Sequence, residues 1–255
     1  MTRMSFRDRV RARSEVLAGT FLNLASPLTA EIIALAGFDW VAVDLEHGAG
    51  GELDALHQLQ AIAHTGTAGL VRIESASGPR IGHALDSGAD GVIVPQVRSA
   101  AEAAEVVSAC RYAGDRGVAR FNRAWQWGMR GGPLRDADSQ VTCCIQIERS
   151  DALADVDAIA ATEGVDVLFV GPADLGHALG IDGGADHPDL LAAGAAVSEA
   201  ALRHGKAAGI LAASVAQIEH YHRLGFTFLG CSADSALLMQ RAQEVSATVH
   251  ALAKP

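Results

Sequence analysis

The sequence predicts one α/β domain over residues 1–255: an eight-stranded parallel sheet closed into a (β/α)8 TIM barrel. Three observations lead there: the length, the alternation of eight short apolar runs with helical segments, and the glycines that punctuate it. At 255 residues the chain has the usual length of one such barrel. With 49% hydrophobic residues, a chain this long can bury a substantial core without disulfides.

The predicted strands fall at 18–25, 40–45, 68–74, 91–96, 141–148, 165–171, 207–213 and 227–231. Their residues are apolar throughout rather than alternating, as suits strands covered by helices. A helical pattern follows each run, for example at 53–65, 99–112 and 187–204. That is the crossover parallel strands require. Gly37, Gly66, Gly88, Gly164, Gly205 and Gly225 each close a helical pattern just before the next run. Glycine suits the left-handed position that ends a helix. Ser26-Pro27 reads as a helix cap with proline in the first turn. Ser99 with Glu102, and Ser214 with Gln217, have capping-box spacing. The longest irregular stretch is 113–139, and a loop that long is usually a functional or interface element.

Composition narrows the partners. A net charge of −10 argues against sequence-independent nucleic-acid binding. No apolar run approaches the roughly 18 residues of a membrane span. Arg3, Arg7, Arg9, Arg11 and Arg13 precede no long apolar stretch, so they read as a solvated first helix rather than a leader. Cys110, Cys143, Cys144 and Cys231 form no CxxC pair. They read as buried free thiols in a reducing cytoplasm.

In such barrels the chemistry sits at the carboxyl ends of the strands. There the sequence places Asp44, Glu46 and His47; Arg72 and Glu74; Pro95-Gln96; Gln146 and Glu148; and Gly171 to Asp174. The first, seventh and eighth runs offer only Asn23, Ser214, Ser232 and Asp234. Glu148 and Asp174 lie at adjacent strand ends with no Cys or His at zinc-like spacing, which suits magnesium, or manganese or cobalt. The same acids would also suit the positive ends of the following helices, and spacing alone leaves both readings open. A lysine-imine aldolase needs a lysine in the pocket. The only lysines are Lys206, expected at the opposite end of the barrel, and Lys254, the penultimate residue. His57, His64, His83, His204, His220 and His222 fall in helical segments and read as structural, whereas His47 follows a strand.

GFDWVAVDLEHGAG (37–50), VRIES (71–75), LDSGADGVIVPQV (85–97), IQIE (145–148) and VGPADLG (170–176) resemble, in the same order, the motifs of the HpcH/HpaI aldolases. These are metal-dependent pyruvate aldolases with a barrel of the phosphoenolpyruvate/pyruvate-domain type. The resemblance covers nearly the whole chain. It implies that Glu148 and Asp174 bind the divalent metal and that His47 is the acid/base, paired with Asp86. It implies that Arg72 stabilises charge on the 2-oxo oxygen, that Gln146 contacts substrate, and that the backbone at Ala173 and Asp174 receives the substrate carboxylate. Asp44, in the first motif, reads as a support for these groups. The implied reaction is reversible cleavage of a 4-hydroxy-2-oxo acid to pyruvate, or a relative such as hydroxypyruvate, and an aldehyde through a metal-stabilised enolate. An acyl-CoA lyase of the citrate-lyase-β type, a 2-oxo-acid decarboxylase and a non-catalytic metabolite-binding barrel are the alternatives. Family members form hexamers, often exchanging a C-terminal helix, for which 235–252 is the candidate. Trp125 and Trp127 mark a departure in the 113–139 loop, which is expected to shape the aldehyde side of the pocket or an oligomer interface, or to be plain surface.

Overall fold

All eight apolar runs become strands in the computed structural model, which describes residues 4–182 and 184–252; Arg3 and Lys254 lie outside them. The chain opens with α1 (Phe6–Ala12), β1 (Leu17–Leu22), α2 (Pro27–Leu35), β2 (Trp40–Asp44), α3 (Glu52–Ile62) and β3 (Ala68–Arg72). It continues through α4 (Gly78–Asp86), β4 (Gly91–Val94), α5 (Ala100–Cys110), a 3-10 turn (Arg123–Gly128), α6 (Leu134–Asp138) and β5 (Thr142–Ile147). Then come α7 (Ser150–Ala154), α8 (Val156–Ala161), β6 (Val167–Val170), α9 (Pro172–Ala178) and α10 (Pro188–Arg203). The last elements are β7 (Ala207–Ala212), α11 (Val215–Arg223), β8 (Phe228–Ala233) and α12 (Asp234–Leu252). The strands pair in sequence order, all parallel, and β8 returns to β1 to close the barrel.

Several strands end short of the apolar runs that predict them. Ile73 and Val97 lie beyond the last residues of β3 and β4 yet remain buried. Burial persists past the strand ends, and the Ile73 amide still donates to the Ile93 carbonyl at 3.2 Å. The six closing glycines all take the left-handed conformation, with φ between 68° and 100°. Ser26 caps α2 through the Thr29 amide, with Pro27 in the first turn. The capping boxes form only in part. Ser99 accepts from the Glu102 amide at 3.3 Å, while Glu102 reaches back to Arg98 rather than to Ser99. Ser214 makes no side-chain cap; Gln217 accepts from the Ala213 amide instead.

Two apolar layers hold the barrel. Outside it, Val41, Val71, Val92, Ile145 and Leu168 pack against the surrounding helices. Inside, Trp40 stacks on Phe228 with ring centroids 4.3 Å apart, and Phe21 and Phe169 complete an aromatic plug. Gly19 makes room for it, since a Cβ there would lie 2.0 Å from the Trp40 ring. The centre is therefore filled, and small molecules have access only at the ends. Cys143 faces the outer layer and Cys144 the inner one, as alternation along β5 requires.

The first helix corrects one expectation. It is not simply solvated: Arg7 is buried, and its Nε lies 2.9 Å from the buried Asp166 carboxylate. Arg11 binds the same carboxylate at 2.8 Å, and Val10 joins the inner cluster. The helix thus covers the amino-terminal mouth, because Asp166 directly precedes β6. Lys206 is at this end too, donating to the Thr162 and Val165 carbonyls. No helix among the described residues is long and apolar enough to cross a membrane.

Candidate active site

The carboxyl ends of β2, β3, β5 and β6 bring the polar residues together. Asp44 and Arg72 end their strands as register partners. Arg72 donates to Asp44 from Nε at 2.9 Å and from Nη2 at 2.7 Å. Its remaining nitrogen, Nη1, lies 3.2 Å from Glu46, and the guanidinium sits 4.8 Å above the Phe21 ring. Asp44 Oδ1 also accepts the backbone amides of Glu46 and His47 at 3.1 and 3.2 Å. One carboxylate therefore fixes both the arginine and the loop carrying His47. Burial opposes the Arg72 charge. Its hydrogen bonds to Asp44 and attraction to Asp44, Glu46 and Glu148 nevertheless hold the guanidinium above its ordinary pKa.

Glu148, the first residue beyond β5, is 2% exposed. Its Oε1 accepts from the Gln96 amide at 2.7 Å, and its Oε2 accepts from Gln146 Nε2. Gly171, just after β6, leaves room for this carboxylate: a Cβ there would stand 3.0 Å from Oε2. Burial raises the Glu148 pKa; the Gln96 amide works against that, and nearby Asp174 adds to it. Asp174 lies in the first turn of α9 and is exposed. Gln146 is buried, and its Oε1 finds no partner among the described residues. An unpaired acceptor beside a buried carboxylate is a place for a water or ligand donor.

The donors suit a hard cation. Two carboxylates come from adjacent strand ends, and burial disfavours the charge on Glu148 even with Arg72 within electrostatic reach. Among the described residues no group of three or more His, Cys, Asp or Glu side chains gathers with metal-ligand geometry. A cation here would take two protein carboxylates and complete its shell with water and substrate oxygens, as magnesium sites often do.

Two residues of this site were placed at strand ends by the sequence but given no role. Glu46 touches Arg72 and stands 3.9 Å from His47 Nε2. Burial raises its pKa, against the pull of Arg72. Gln96 takes a left-handed conformation, φ 59°, that aims its amide at Glu148. The strand-end rule had flagged both positions. Nothing in the chain itself signalled their contacts.

Neither of two expected contacts forms within one chain. Asp86 does not meet His47 within the chain. It ends α4, at the amino-terminal mouth, where it accepts from Arg116 Nη2 at 2.8 Å. His47 is exposed at the opposite end. The 113–139 loop also misses the pocket of its own chain. It joins α5 to β5 and so must enter at the amino-terminal mouth, where Arg123 donates to the Ser87 and Leu59 carbonyls. There Trp125 is buried, its Nε1 donating to the Tyr112 hydroxyl, while Trp127 is exposed.

Comparison with known proteins finds relatives along nearly the whole chain. Residues 17–240 match the model of the HpcH/HpaI aldolase/citrate lyase family. The hydroxypyruvate/pyruvate aldolase of Pseudomonas aeruginosa is 40% identical over 244 residues, covering 94% of this chain and 91% of that protein. The 5-keto-4-deoxy-D-glucarate aldolase of Salmonella paratyphi C is 37% identical over 239 residues, covering 93% of each. A crystal structure of an HpcH/HpaI aldolase/citrate lyase family protein from Burkholderia cenocepacia superposes with a TM-score of 0.92 at 36% identity. It covers 96% of this chain and 98% of that one.

Proposed function

The chain belongs to the HpcH/HpaI aldolase/citrate lyase family and is a carbon–carbon lyase; from that premise we propose a divalent-metal-dependent aldolase acting on 4-hydroxy-2-oxo acids. The products are pyruvate, or a related 2-oxo acid such as hydroxypyruvate, and an aldehyde. One observation carries this reading: the Glu148 and Asp174 carboxylates and the clamped Arg72 guanidinium meet at one end of the barrel, within electrostatic reach of Glu148.

Glu148 and Asp174 would hold magnesium, manganese or cobalt. A bound divalent cation supplies Lewis-acid polarisation of the 2-oxo carbonyl. The protein does the rest. The backbone at Ala173 and Asp174, where α9 begins, receives the substrate carboxylate. Gln146, with its free Oε1, contacts the bound substrate. His47 takes the proton from the C4 hydroxyl as the C3–C4 bond breaks. The electron pair of that bond passes toward the 2-oxo oxygen, where Arg72 offers a fixed positive charge. A proton delivered to C3 completes pyruvate, and the aldehyde departs. Asp44 holds Arg72 and the His47 loop in register.

The whole of 1–255 acts as one catalytic domain in this reading, as a cytoplasmic homo-oligomer, hexameric by the family resemblance. Pairing of Asp86 with His47 then requires two copies. Leu238, Met239, Val245, Val249 and Leu252 are exposed along α12, which supports burial against another subunit. The acyl-CoA alternative fares worse, since Arg116, Arg123 and Arg130 line a cavity at the amino-terminal mouth, away from Glu148.

Pyruvate release from a 4-hydroxy-2-oxo acid, followed with lactate dehydrogenase, tests the proposal. Activity should vanish with chelator and return with magnesium, manganese or cobalt. Full activity in the metal-free protein, or in Glu148→Ala, would refute it. Full cleavage by His47→Ala would remove His47 as the base.

A further inference from the structure

At the amino-terminal mouth, opposite Glu148, a cavity of about 400 Å³ opens beside the starts of β4 and β5. Asp90 and Val141, the residues just before those strands, belong to its wall. The 3-10 turn contributes Trp125, Gln126 and Trp127. Nothing in the proposed aldolase chemistry uses this space.

Its charge is unusual for a chain of net charge −10. Arg116, Arg123 and Arg130 line the cavity. Arg120 and Arg130 both approach the Trp125 ring, with guanidinium carbons 4.4 and 5.6 Å from its centroid. Asp86 binds Arg116, and Asp90 lies within electrostatic reach of Arg123. Arg120 and Arg130 are held by the Gly132 and Ala124 carbonyls instead of acids. Like charges gathered on one tryptophan repel each other, and an anion between them would relieve that. Arg116 adds an open donor. Its side chain is 3% exposed, and its Nε finds no partner among the described residues. A buried donor left unpaired is costly unless a ligand or water takes it.

The turn is also strained. Gln126 and Trp127 take left-handed backbone conformations, φ 49° and 56°, which cost energy in residues other than glycine. Trp127 is 65% exposed. A tryptophan face at the edge of a cationic cavity is a stacking surface for a flat ring.

We propose that this cavity binds a small phosphorylated metabolite with a planar ring, of the nucleoside-monophosphate class. The arginines take the phosphate, because guanidinium forks match its oxygens. Trp127 stacks on the ring. The volume falls in the range of small-ligand pockets. The site lies at the opposite mouth from Glu148, so it stands whether or not the aldolase reading does.

The test measures binding of AMP, adenosine and inorganic phosphate to the full-length protein by calorimetry. Chelator is present, so that no metal at Glu148 competes for the phosphate. AMP should bind at one site per chain, about tenfold tighter or more than adenosine or phosphate alone. Arg120→Gln and Arg130→Gln should each weaken AMP about tenfold. Trp127→Ala should weaken AMP by a similar factor and leave phosphate binding unchanged. All three side chains are exposed, so the variants should fold, which circular dichroism checks. Exchange of the pyruvate C3 protons in deuterated water, measured separately with manganese, should be unchanged in them. Loss of that exchange would make the cavity part of a catalytic site and overturn the proposal. Failure of AMP to bind the wild type at millimolar concentration would overturn it too, as would binding that the arginine variants leave intact. A changed oligomer mass in those variants, with no AMP bound by the wild type, would assign this surface to a contact between copies.

Discussion

Asp44 grips Arg72 through two of its three guanidinium nitrogens, Nε at 2.9 Å and Nη2 at 2.7 Å, and leaves Nη1 to Glu46. Such a bidentate pair fixes direction as well as charge. In Asp44→Asn the arginine keeps its charge but loses its two-point hold, and the His47 loop loses an anchor. Activity should fall about 100-fold, mostly in kcat, because a small misplacement of a catalytic group is costly. Arg72→Lys should not restore it, since lysine cannot reproduce the fork. Steady-state kinetics on folded variants checks both outcomes.

Glu148 sets a pH-dependent stability. Burial, with Asp174 nearby, raises its pKa in the folded protein. The unfolded chain releases that proton in the ordinary carboxylate range, while the folded one holds it to higher pH. Between the two values the native state binds more protons, so this group's contribution to stability falls as pH rises. In chelator at pH 8, Glu148→Gln should therefore melt above the wild type. The difference should shrink as pH is lowered toward the ordinary carboxylate range. Melting curves across pH decide it.

Asp86 has a structural partner in its own chain. Arg116 is 3% exposed in its side chain and depends on this carboxylate. Asp86→Asn should cost about 2 kcal/mol of stability, in the range of hydrogen bonds to charged groups. Denaturant unfolding measures that. A changed pH–rate profile in the same variant, at full folding, would show that Asp86 also serves His47 across subunits.

Asp166 ties the first helix to the barrel through Arg7 and Arg11, with Arg111 3.8 Å away. Asp166→Ala would leave Arg7 buried without its counter-charge. A loss of about 3–5 kcal/mol is expected. Urea unfolding should show it, while C3 exchange by the folded fraction persists.

The strands and the helix ends were legible because they depend on neighbours in sequence. Apolar runs mark buried strands, and glycine marks left-handed helix ends. The site was legible where function attaches to strand ends: Asp44, His47, Arg72, Gln146, Glu148 and Asp174 all lie where one barrel face requires. The role of Asp86 was carried over from a motif, and the motif did not say at which end of the barrel α4 would leave it. For loop 113–139 the sequence left pocket, interface and surface open, for a related reason. Its aromatic and basic composition suggests contact with something, but only its place between a helix and the next strand decides which mouth it meets.

The sequence by itself determined the eightfold repeat, the parallel barrel and the set of polar residues at its carboxyl ends. Periodicity, turn chemistry and strand direction are enough for that. Only the tertiary structure decided which of those residues touch. It clamped Arg72 on Asp44, brought Glu46 beside them, turned the Gln96 amide to Glu148, and carried Asp86 away to Arg116. Hydrogen bonds and ion pairs form over a few ångströms, and barrel closure fixes such distances between residues remote in the chain.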